Sequence, residues 1–338
     1  MSSRKKVLVL GDWDSDGVIS TALIEYTQKH LKKYPLEEDV EFHKTPVDPD
    51  RVKYILSQIK DNYYAVVFLD VPYSDTLGNI VKMLKLHFGV QQVIFVDHHI
   101  ASLHRVNEVK SSFDVAVVDF RKPTAALLYD ELVSKGIRVH DKLKLFVEVI
   151  KYMDSGKRVP SNLLKLFEMA KNISKALTAI RNEELWCRIV EWLADPSPSP
   201  MPLDESVWSI AKKVVEERDK EIKDVAMNLA VSAVKVGDLR FVDARYTWKK
   251  RGVTALASRL SLILKAPVAL VAGTNREYAL LILKVPNGRA YRIAKYLLAE
   301  GIAQDIAGHP NLAIVRIPKN IDKKTLIDAL YQALYYAS

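Results

Sequence analysis

The sequence predicts two α/β domains, the first of which is built on a parallel sheet. Its 338 residues suit two domains of ordinary size. Over the first 120 residues, short β-rich runs alternate with amphipathic stretches, as in parallel βαβ units. A proline-rich break, DPSPSPMPLD, follows at residues 195–204. With 49% hydrophobic and 27% charged residues, the composition is that of a globular protein and excludes a disordered one.

The first domain is expected to contain five strands. They are VLVL (7–10), VEFH (40–43), YAVVFLD (64–70), VQQVIFVD (90–97) and VAVVD (115–119). Helices are expected near 18–33, 49–60, 76–87 and 123–135, with a loop after the fourth strand. Because the strands are almost continuously apolar, both faces of the sheet are expected to be covered.

Helical spacing continues from about 141 to 194 and predicts a helical extension of this domain. We therefore assign residues 1–194 to the first domain and residues 195–230 to a proline-rich linker and a connecting helix. Residues 231–338 again mix strands with helices, among them LRFVDA, YALLILKV and AYRIAKYLLAE. They predict a smaller α/β C-terminal domain.

Composition also restricts location and partners. Cys187 is the single cysteine, which agrees with a reducing compartment. No stretch approaches the ~20 apolar residues that a membrane-spanning helix needs, and the first residues do not resemble a signal peptide, so a cytoplasmic protein without membrane contact is expected. The 50 Lys and Arg exceed the 41 Asp and Glu by nine, which favours polyanionic partners.

Carboxylates follow three of the predicted strands. Asp12, Asp14 and Asp16 come directly after the first strand, Asp70 closes the third, and Asp97 with His98 and His99 closes the fourth. Ligands of open parallel sheets bind beyond the carboxyl ends of the strands, so these three groups are expected to meet.

Carboxylates crowded in this way repel one another unless cations neutralise them. Aspartates with imidazoles suit Mn²⁺ or Mg²⁺, and the lack of cysteine ligands argues against structural zinc. A calcium loop of the EF-hand type would need a glutamate where this sequence has Leu23. Asp70 taken alone would more often be a helix cap. A carboxylate shared by two metals is the arrangement used to hydrolyse phosphate esters.

These residues resemble the DHH phosphoesterases, a family that includes RecJ-type exonucleases, oligoribonucleases, exopolyphosphatases and pyrophosphatases. The Asp97-His98-His99 triplet matches the name-giving motif, GDWDSDG matches the first motif, and Asp70 matches the second. Asp154 in VIKYMDSG is the best match to the fourth motif. AGHPNLA (307–313) resembles the glycine-rich element of the DHH-associated domain. The resemblance implies a parallel-sheet DHH domain with a helical extension, linked to a smaller α/β DHH-associated domain.

The resemblance also implies roles for individual residues. Asp14 and Asp70 would bind one metal, and Asp70 would bridge to a second metal held also by the residues Asp16, His98 and Asp154. Asp97 would orient the histidine pair, and His99 would face the scissile phosphate. Asp12 would be an extra metal ligand or a group that contacts the ligands without binding the metal.

In the C-terminal domain, the resemblance implies that His309, Gly308, Lys284 and Arg289 contact substrate. Three sites depart from the family pattern. In the C-terminal element, Ala307 stands where the family has its first glycine, and Leu312-Ala313-Ile314 replaces the late Ala-Ala-Gly. Leu10 stands where many members carry a metal-binding histidine, and Lys284 stands where many carry an arginine. Lysine binds a phosphate as a point charge and not through two bonds.

The expected function is a metal-dependent phosphodiesterase with two Mn²⁺ (or Mg²⁺) ions, acting as an exonuclease on single-stranded DNA or RNA. Tyr246 and Trp248 in RYTWKKRG (245–252) are candidates for stacking on bases. One alternative is a phosphoesterase for short oligonucleotides, 3′-phosphonucleotides or polyphosphate. A second is a Cdc45-like replication scaffold without catalysis. Expected partners are single-stranded nucleic acid or short oligonucleotides, with replication or repair proteins as further candidates.

Overall fold

The computed structural model describes residues 4–48, 52–59, 62–200, 205–250 and 252–337. It divides into two compact units, Met1–Val215 and Glu216–Ser338. The division falls inside a long helix, α10 (Glu205–Ala230). The linker and connecting helix assigned to 195–230 remain a prediction, and residues 201–204 of it lie outside the described part.

The N-terminal unit contains a five-stranded sheet in which every pairing is parallel. Its strands are β1 (Lys6–Gly11), β2 (Glu41–Pro46), β3 (Ala65–Leu69), β4 (Gln92–Asp97) and β5 (Val115–Val118), in the order β2-β1-β3-β4-β5. Gly11 lies opposite Leu69, and Leu69 lies opposite Val96. The carboxyl ends of β1, β3 and β4 therefore meet at one edge, and the predicted fold class is confirmed.

Nine helices of this unit precede α10 in the described part of the chain. They are α1 (Ser15–Glu25, continued by a π-helical turn Tyr26–His30), α2 (Ile55–Gln58), α3 (Asp75–His87), α4 (Ile100–His104), α5 (Val106–Ser112), α6 (Thr124–Ser134), α7 (Asp141–Ser155), α8 (Leu164–Ile180) and α9 (Glu183–Ala194). The prediction of a loop after β4 is wrong, because the helices α4 and α5 follow that strand. The reason is local: Val109 is fully buried and Arg105 forms an i,i+3 ion pair with Glu108. Part of the helix expected at 49–60 lies outside the described residues.

Apolar side chains cover both faces of this sheet. Along β1, Val7 and Val9 pack into a core with α1 and α6 to α9, whereas Leu8 and Leu10 pack into a core with α3 and α5. Successive strand residues point to opposite faces, so an uninterrupted apolar strand needs cover on both sides.

The C-terminal unit contains a six-stranded sheet in the order β10-β11-β9-β8-β7-β6. Its elements are β6 (Val234–Val236), β7 (Leu239–Ala244), α11 (Val253–Leu264), β8 (Val268–Ala272), β9 (Tyr278–Lys284), α12 (Arg289–Ala299), β10 (Asp305–His309), β11 (Leu312–Pro318) and α13 (Lys323–Tyr336). Helices α12 and α13 cover one face, and α11 with the end of α10 covers the other. Within the described residues, no helix is both long and apolar enough to cross a membrane.

The structure corrects one expectation in this unit. Trp248 was expected to stack on bases, but it is only 3% exposed and packs in the core beneath α11. An indole buries more apolar area than most side chains, and this outweighs the basic surroundings of Trp248 in the sequence. Of the two aromatic candidates, only Tyr246 is exposed.

Candidate metal centre

The acidic groups meet where the strand order reverses. Chain order runs outward from β1 in both directions, to β2 on one side and to β3 on the other. Such a switch point opens a crevice at the carboxyl ends of the strands. Asp12, Asp14 and Asp16 follow β1 into this crevice, and Asp70 follows β3. The fold thus brings together groups that lie far apart in the chain.

Glycines allow the loop after β1 to turn tightly into α1. A Cβ on Gly17 would lie 2.5 Å from the backbone nitrogen of Asp12, and a Cβ on Gly11 would lie 2.3 Å from the hydroxyl of Thr21. Asp14 caps α1, since its Oδ1 accepts hydrogen bonds from the backbone N–H groups of Asp16 (2.9 Å) and Gly17 (3.2 Å). Cap and glycine together fix the direction of the three carboxylates.

The helical extension holds this loop from behind. Trp186 of α9 donates from Nε1 to the carbonyl oxygen of Asp12 at 3.1 Å. Ser15 donates to the carbonyl oxygen of Ala170 in α8 at 3.0 Å. The guanidinium of Arg181 lies 5.1 Å from the ring centroid of Trp13. The extension therefore positions the acidic loop as well as enlarging the core.

Asp70 occupies the centre of the cluster. It is 1% exposed, and its backbone has φ of 62°, a left-handed conformation that aspartate tolerates better than most residues. Its Oδ1 accepts a hydrogen bond from the hydroxyl of Thr124 at 2.8 Å and lies 3.3 Å from Nε2 of His98. The strained backbone directs this carboxylate toward the loop after β1.

The residues Asp97, His98 and His99 place two imidazoles beside these carboxylates. Asp97 Oδ1 lies 2.8 Å from Nδ1 of His99, and Asp97 Oδ2 accepts hydrogen bonds from the backbone N–H of His99 and the hydroxyl of Ser102. Asp97 is fully buried and holds the ring of His99 in one orientation. His98 turns the other way, toward Asp70.

Asp16 is bound by the first turn of α6. Its two oxygens accept hydrogen bonds from the backbone N–H groups of Thr124 (2.8 Å) and Ala125 (2.7 Å), at the positive end of the helix dipole. Asp16 Oδ2 also lies 3.6 Å from Nε2 of His98. Asp154, at the end of α7, places Oδ1 3.8 Å from Nδ1 of the same histidine. His98 thus lies between Asp16, Asp70 and Asp154.

The three carboxylates after β1 resist ionisation. Burial, reinforced by the charge of Asp70, raises the pKa of Asp14 to about 6 and raises the pKa of Asp16 well above its usual range. Burial, with the charges of Asp14 and Asp70, likewise raises the pKa of Asp12. Carboxylates held this close together favour a bound cation.

The histidines show the opposite behaviour. Burial opposes their charge, but the hydrogen bond and charge of Asp70 raise the pKa of His98 to about 11, and the charge and hydrogen bond of Asp97 raise that of His99 to about 9. Burial likewise opposes ionisation of Asp70, yet its hydrogen bond with His98 and the histidine charges lower the pKa of Asp70. Without metal, protonated imidazoles therefore supply the positive charge of the site.

Three groups of candidate ligands share Asp70. Asp16, Asp70 and His98 form the first, Asp12, Asp14 and Asp70 form the second, and Asp70, Asp97 and His99 form the third; in each, one ligand atom per residue lies within 4.8 Å of the others. Because Asp97 and His99 are hydrogen-bonded to each other, the first two groups are the candidate metal sites. The donors are mainly carboxylate oxygens with one imidazole, which suits Mn²⁺ or Mg²⁺. Leu10 is fully buried in the core beside Phe68, so no ligand comes from that position.

The candidate substrate residues lie at one end of the C-terminal sheet. Leu312 pairs with Lys284 on one side and with His309 on the other, so these three residues form one row across β9, β11 and β10. Gly308 has φ of 94°, and a Cβ there would lie 2.3 Å from the carbonyl oxygen of Leu312, so this position requires glycine. Arg289 is held in a two-bond ion pair with Asp238, at 2.6 and 3.2 Å.

The structure adds two polar residues that sequence analysis missed. Thr124 supplies a hydroxyl to Asp70 and a backbone N–H to Asp16, and Ser102 supplies a hydroxyl to Asp97. The Pro123-Thr124 pair before an apolar run is a helix-start pattern that could have drawn attention to Thr124. The sequence offers no comparable signal for Ser102.

Several solved structures share this fold. RecJ in complex with Mn²⁺ from Thermus thermophilus matches with a TM-score of 0.58 and 16% identity over 98% of this chain and 52% of that one. Exonuclease RecJ bound to manganese matches with a TM-score of 0.55 and 14% identity over 98% of this chain and 90% of that one. PggH, a pGpG-specific phosphodiesterase from Vibrio cholerae, matches with a TM-score of 0.50 and 12% identity over 98% and 100% of the two chains. This chain spans about half the length of the Thermus RecJ chain.

Sequence comparison agrees with the fold. Among curated proteins, none matches this chain. Residues 6–171 match the family model described as DHH family, N-terminal domain. That range contains the acidic loop after β1, Asp70, the residues 97–99 and Asp154. Residues 6–171, which carry these carboxylates and the histidine pair, are therefore identified as a DHH-family N-terminal domain.

Proposed function

We propose that this protein is a metal-dependent phosphodiesterase that shortens single-stranded DNA or RNA from one end. The observation that carries the proposal is that Asp70 is shared between one ligand group with Asp16 and His98 and another with Asp12 and Asp14. Two cations about 3.5–4 Å apart on a shared carboxylate form the usual centre for phosphate-ester hydrolysis. The DHH-family fold and its solved relatives support the same reaction class.

Each residue of the centre has a role in this proposal. Asp12 and Asp14 would hold one cation and Asp16 with His98 the other, with Asp70 between them. Asp154 would complete the second set from the far side of His98. When bound, Mn²⁺ or Mg²⁺ would activate water and neutralise the charge that develops on the phosphate.

The remaining groups act on substrate and orientation. His99, fixed by Asp97, would donate a hydrogen bond to a phosphate oxygen. Without metal, the charge and hydrogen bond of Asp97 raise the pKa of His99 to about 9. Thr124 would keep Asp70 and Asp16 in place. In the C-terminal unit, the row containing Lys284 and His309 would bind phosphate. Arg289 is occupied by Asp238, so we leave it out of this set.

Charge favours a polyanionic substrate over a small one. Residues 216–338 carry 20 Lys and Arg against 12 Asp and Glu, whereas residues 1–215 carry 30 against 29. Binding of a strand depends on several phosphates at once, and an excess of cations in one unit suits that requirement.

A second candidate is hydrolysis of short substrates such as dinucleotides. It is favoured by the match to PggH, a pGpG-specific enzyme, which covers 98% of this chain and 100% of the PggH chain. The two candidates share the metal centre and differ in what the C-terminal unit holds.

The test is hydrolysis with Mn²⁺ of a substrate panel: single-stranded DNA, single-stranded RNA, a dinucleotide, 3′-phosphoadenosine phosphate and pyrophosphate. The control is Asp70→Asn, which excludes a contaminating nuclease. We expect stepwise shortening of the strands. Cleavage of the dinucleotide alone would favour the second candidate. A protein that binds Mn²⁺ and hydrolyses nothing in the panel would overturn the proposal and favour a scaffold.

A further inference from the structure

A second basic surface lies at the other end of the C-terminal sheet. We define the Tyr246 surface as the residues Tyr246, Lys249, Lys250, Lys319, Lys323 and Lys324. Tyr278 pairs with Pro318 at one end of β9 and β11, and Lys284 pairs with Leu312 at the other. Six residue-to-residue steps along β9 separate these ends, a distance of about 20 Å. The Tyr246 surface is therefore separate from the row of Lys284 and His309.

The loop that carries Tyr246 is held on both sides of it. Trp248 is buried, its backbone N–H donates to the carbonyl oxygen of Ala244 at 2.8 Å, and its carbonyl oxygen accepts from Gly273 at 3.1 Å. A Cβ on Gly273 would lie 2.2 Å from the carbonyl oxygen of Arg245, so β8 and this loop are in close contact. Between these fixed neighbours, Tyr246 is 89% exposed. The ring is presented to solvent by an ordered backbone.

Arg245 joins this loop to the turn between β11 and α13. Its guanidinium binds Asp243 through two bonds, at 3.0 and 2.6 Å. It also donates to the carbonyl oxygens of Ile321 (2.7 Å) and Lys319 (3.4 Å). The turn and the start of α13 are thereby fixed beside Tyr246, and they contribute Lys319, Lys323 and Lys324.

The cations of this surface are largely uncompensated. Among the described residues, Lys249, Lys319 and Lys324 form no salt bridge, and Lys250 pairs with Glu221 at 2.6 Å. Asp322 is engaged as the cap of α13, accepting from the backbone N–H groups of Lys324 and Thr325. Asp243 is engaged by Arg245. The surface is therefore positive around a single aromatic ring.

We propose that the Tyr246 surface binds single-stranded nucleic acid at nucleotides away from the scissile bond, with phosphates on the lysines and a base on Tyr246. One exposed ring offers too little apolar area to dock a protein, whereas a ring among cations suits a stacked base and its phosphates. This proposal rests on the proposed function, which supplies the strand. It predicts that long substrates bind through this surface and that dinucleotides do not reach it.

The test compares Tyr246→Ala and the double variant Lys319→Glu/Lys324→Glu with matched controls. Tyr335→Ala removes another exposed tyrosine (81%) about 18 Å along α13 from Lys323. Lys295→Glu reverses an exposed charge on α12. The probe is a phosphorothioate single strand of about 20 nucleotides, long enough to cover several contacts. Its affinity is measured over a range of salt, and dinucleotide hydrolysis is measured in parallel.

We expect Tyr246→Ala to weaken strand binding by about 5- to 160-fold, the range for losing one base stack. The double variant should lower the salt slope of binding by about 1.4, because each lost phosphate contact on a single strand contributes about 0.7. Both should leave dinucleotide hydrolysis unchanged, and both controls should bind the strand like the wild type.

Wild-type strand binding by both test variants would overturn this inference and leave the proposed function standing. So would variants that bind the strand normally but lose affinity for phosphatidylserine vesicles, since the surface would then serve a membrane. Loss of strand binding in a protein whose wild type hydrolyses no phosphodiester would support the surface and overturn the proposed function instead.

Discussion

The two units differ in their balance of charged residues and in whether those residues are buried or exposed. The N-terminal unit has nearly equal numbers of acidic and basic residues, and it concentrates buried carboxylates at one sheet edge. The C-terminal unit carries almost all of the excess positive charge, and it exposes that charge on surfaces. Burial makes charge chemically active but costly, whereas exposed charge attracts a polyanion over a distance at little cost. In the proposed function, this difference separates chemistry in the N-terminal unit from substrate binding in the C-terminal unit.

The largest effect is expected at Asp70, the central carboxylate of the buried cluster in the N-terminal unit. Asp70→Asn keeps the size of the side chain but removes the charge shared by both ligand groups. We expect hydrolysis to fall by at least about 1000-fold, since both cations would lose a ligand. Activity in Mn²⁺ and the melting temperature are measured together. The control is Asp130→Asn, which removes an exposed carboxylate paired with Lys122. An active Asp70→Asn variant would refute the shared-ligand arrangement.

Substitutions of Thr124 test whether a residue that hydrogen-bonds a candidate ligand affects metal affinity and activity. Thr124→Val removes the hydroxyl that donates to Asp70, with almost no change of shape. We expect a loss of about 10- to 100-fold in Mn²⁺ affinity or activity, as for other residues that orient ligands. Thr124→Ser should retain most of both. Thr178→Val serves as control, because that hydroxyl bonds only within α8. Equal behaviour of the Val and Ser variants at position 124 would contradict the prediction.

Metal binding should release protons. The pKa of Asp14 is about 6 and that of His98 about 11 without metal, so lowering the pH keeps protons on groups that must lose them to bind a cation. We therefore expect Mn²⁺ affinity to rise between pH 5 and 8, by about tenfold per unit for each proton displaced. Calorimetry in two buffers of different ionisation enthalpy measures this release. An affinity independent of pH would show that the ligands are already deprotonated.

The smallest effects are expected in the C-terminal unit. His309→Ala and Lys284→Ala should weaken binding of a non-hydrolysable strand, and each should reduce the salt slope by about 0.7. Mn²⁺ affinity should not change, because neither residue belongs to a ligand group that contains Asp70. If either variant loses metal affinity, the separation of chemistry from substrate binding fails.

Sequence alone predicted the groups that follow strands in the chain. Asp12, Asp14, Asp16 and Asp70 could be placed together because parallel strands end at one edge. Their assignment as ligands remains a prediction. The structure was needed for Thr124 and Trp186, which approach the site from helices far along the chain. Such contacts depend on how helices pack, which local patterns do not encode.

The sequence also could not show which aromatic side chains are buried and which are exposed. Trp248 and Tyr246 stand two residues apart in one basic segment, yet one is in the core and the other in solvent. The resemblance of the AGHPNLA segment to a family element predicted a substrate contact at His309 but not the strand β10 that contains it, because Asp305–His309 is short and lacks a strand-like apolar run.

The raised pKa values of the carboxylates after β1 make the stability of the folded protein depend on bound metal. At neutral pH, keeping Asp12, Asp14 and Asp16 charged in a buried cluster lowers the free energy of unfolding when no cation is present. A cation that binds only the folded form raises the free energy of unfolding again. At a free cation concentration about 100 times its dissociation constant, this increase is about 2.7 kcal/mol. Metal supply would thus set the thermal stability of the N-terminal unit, and a melting curve could report how fully the protein is loaded inside a cell extract.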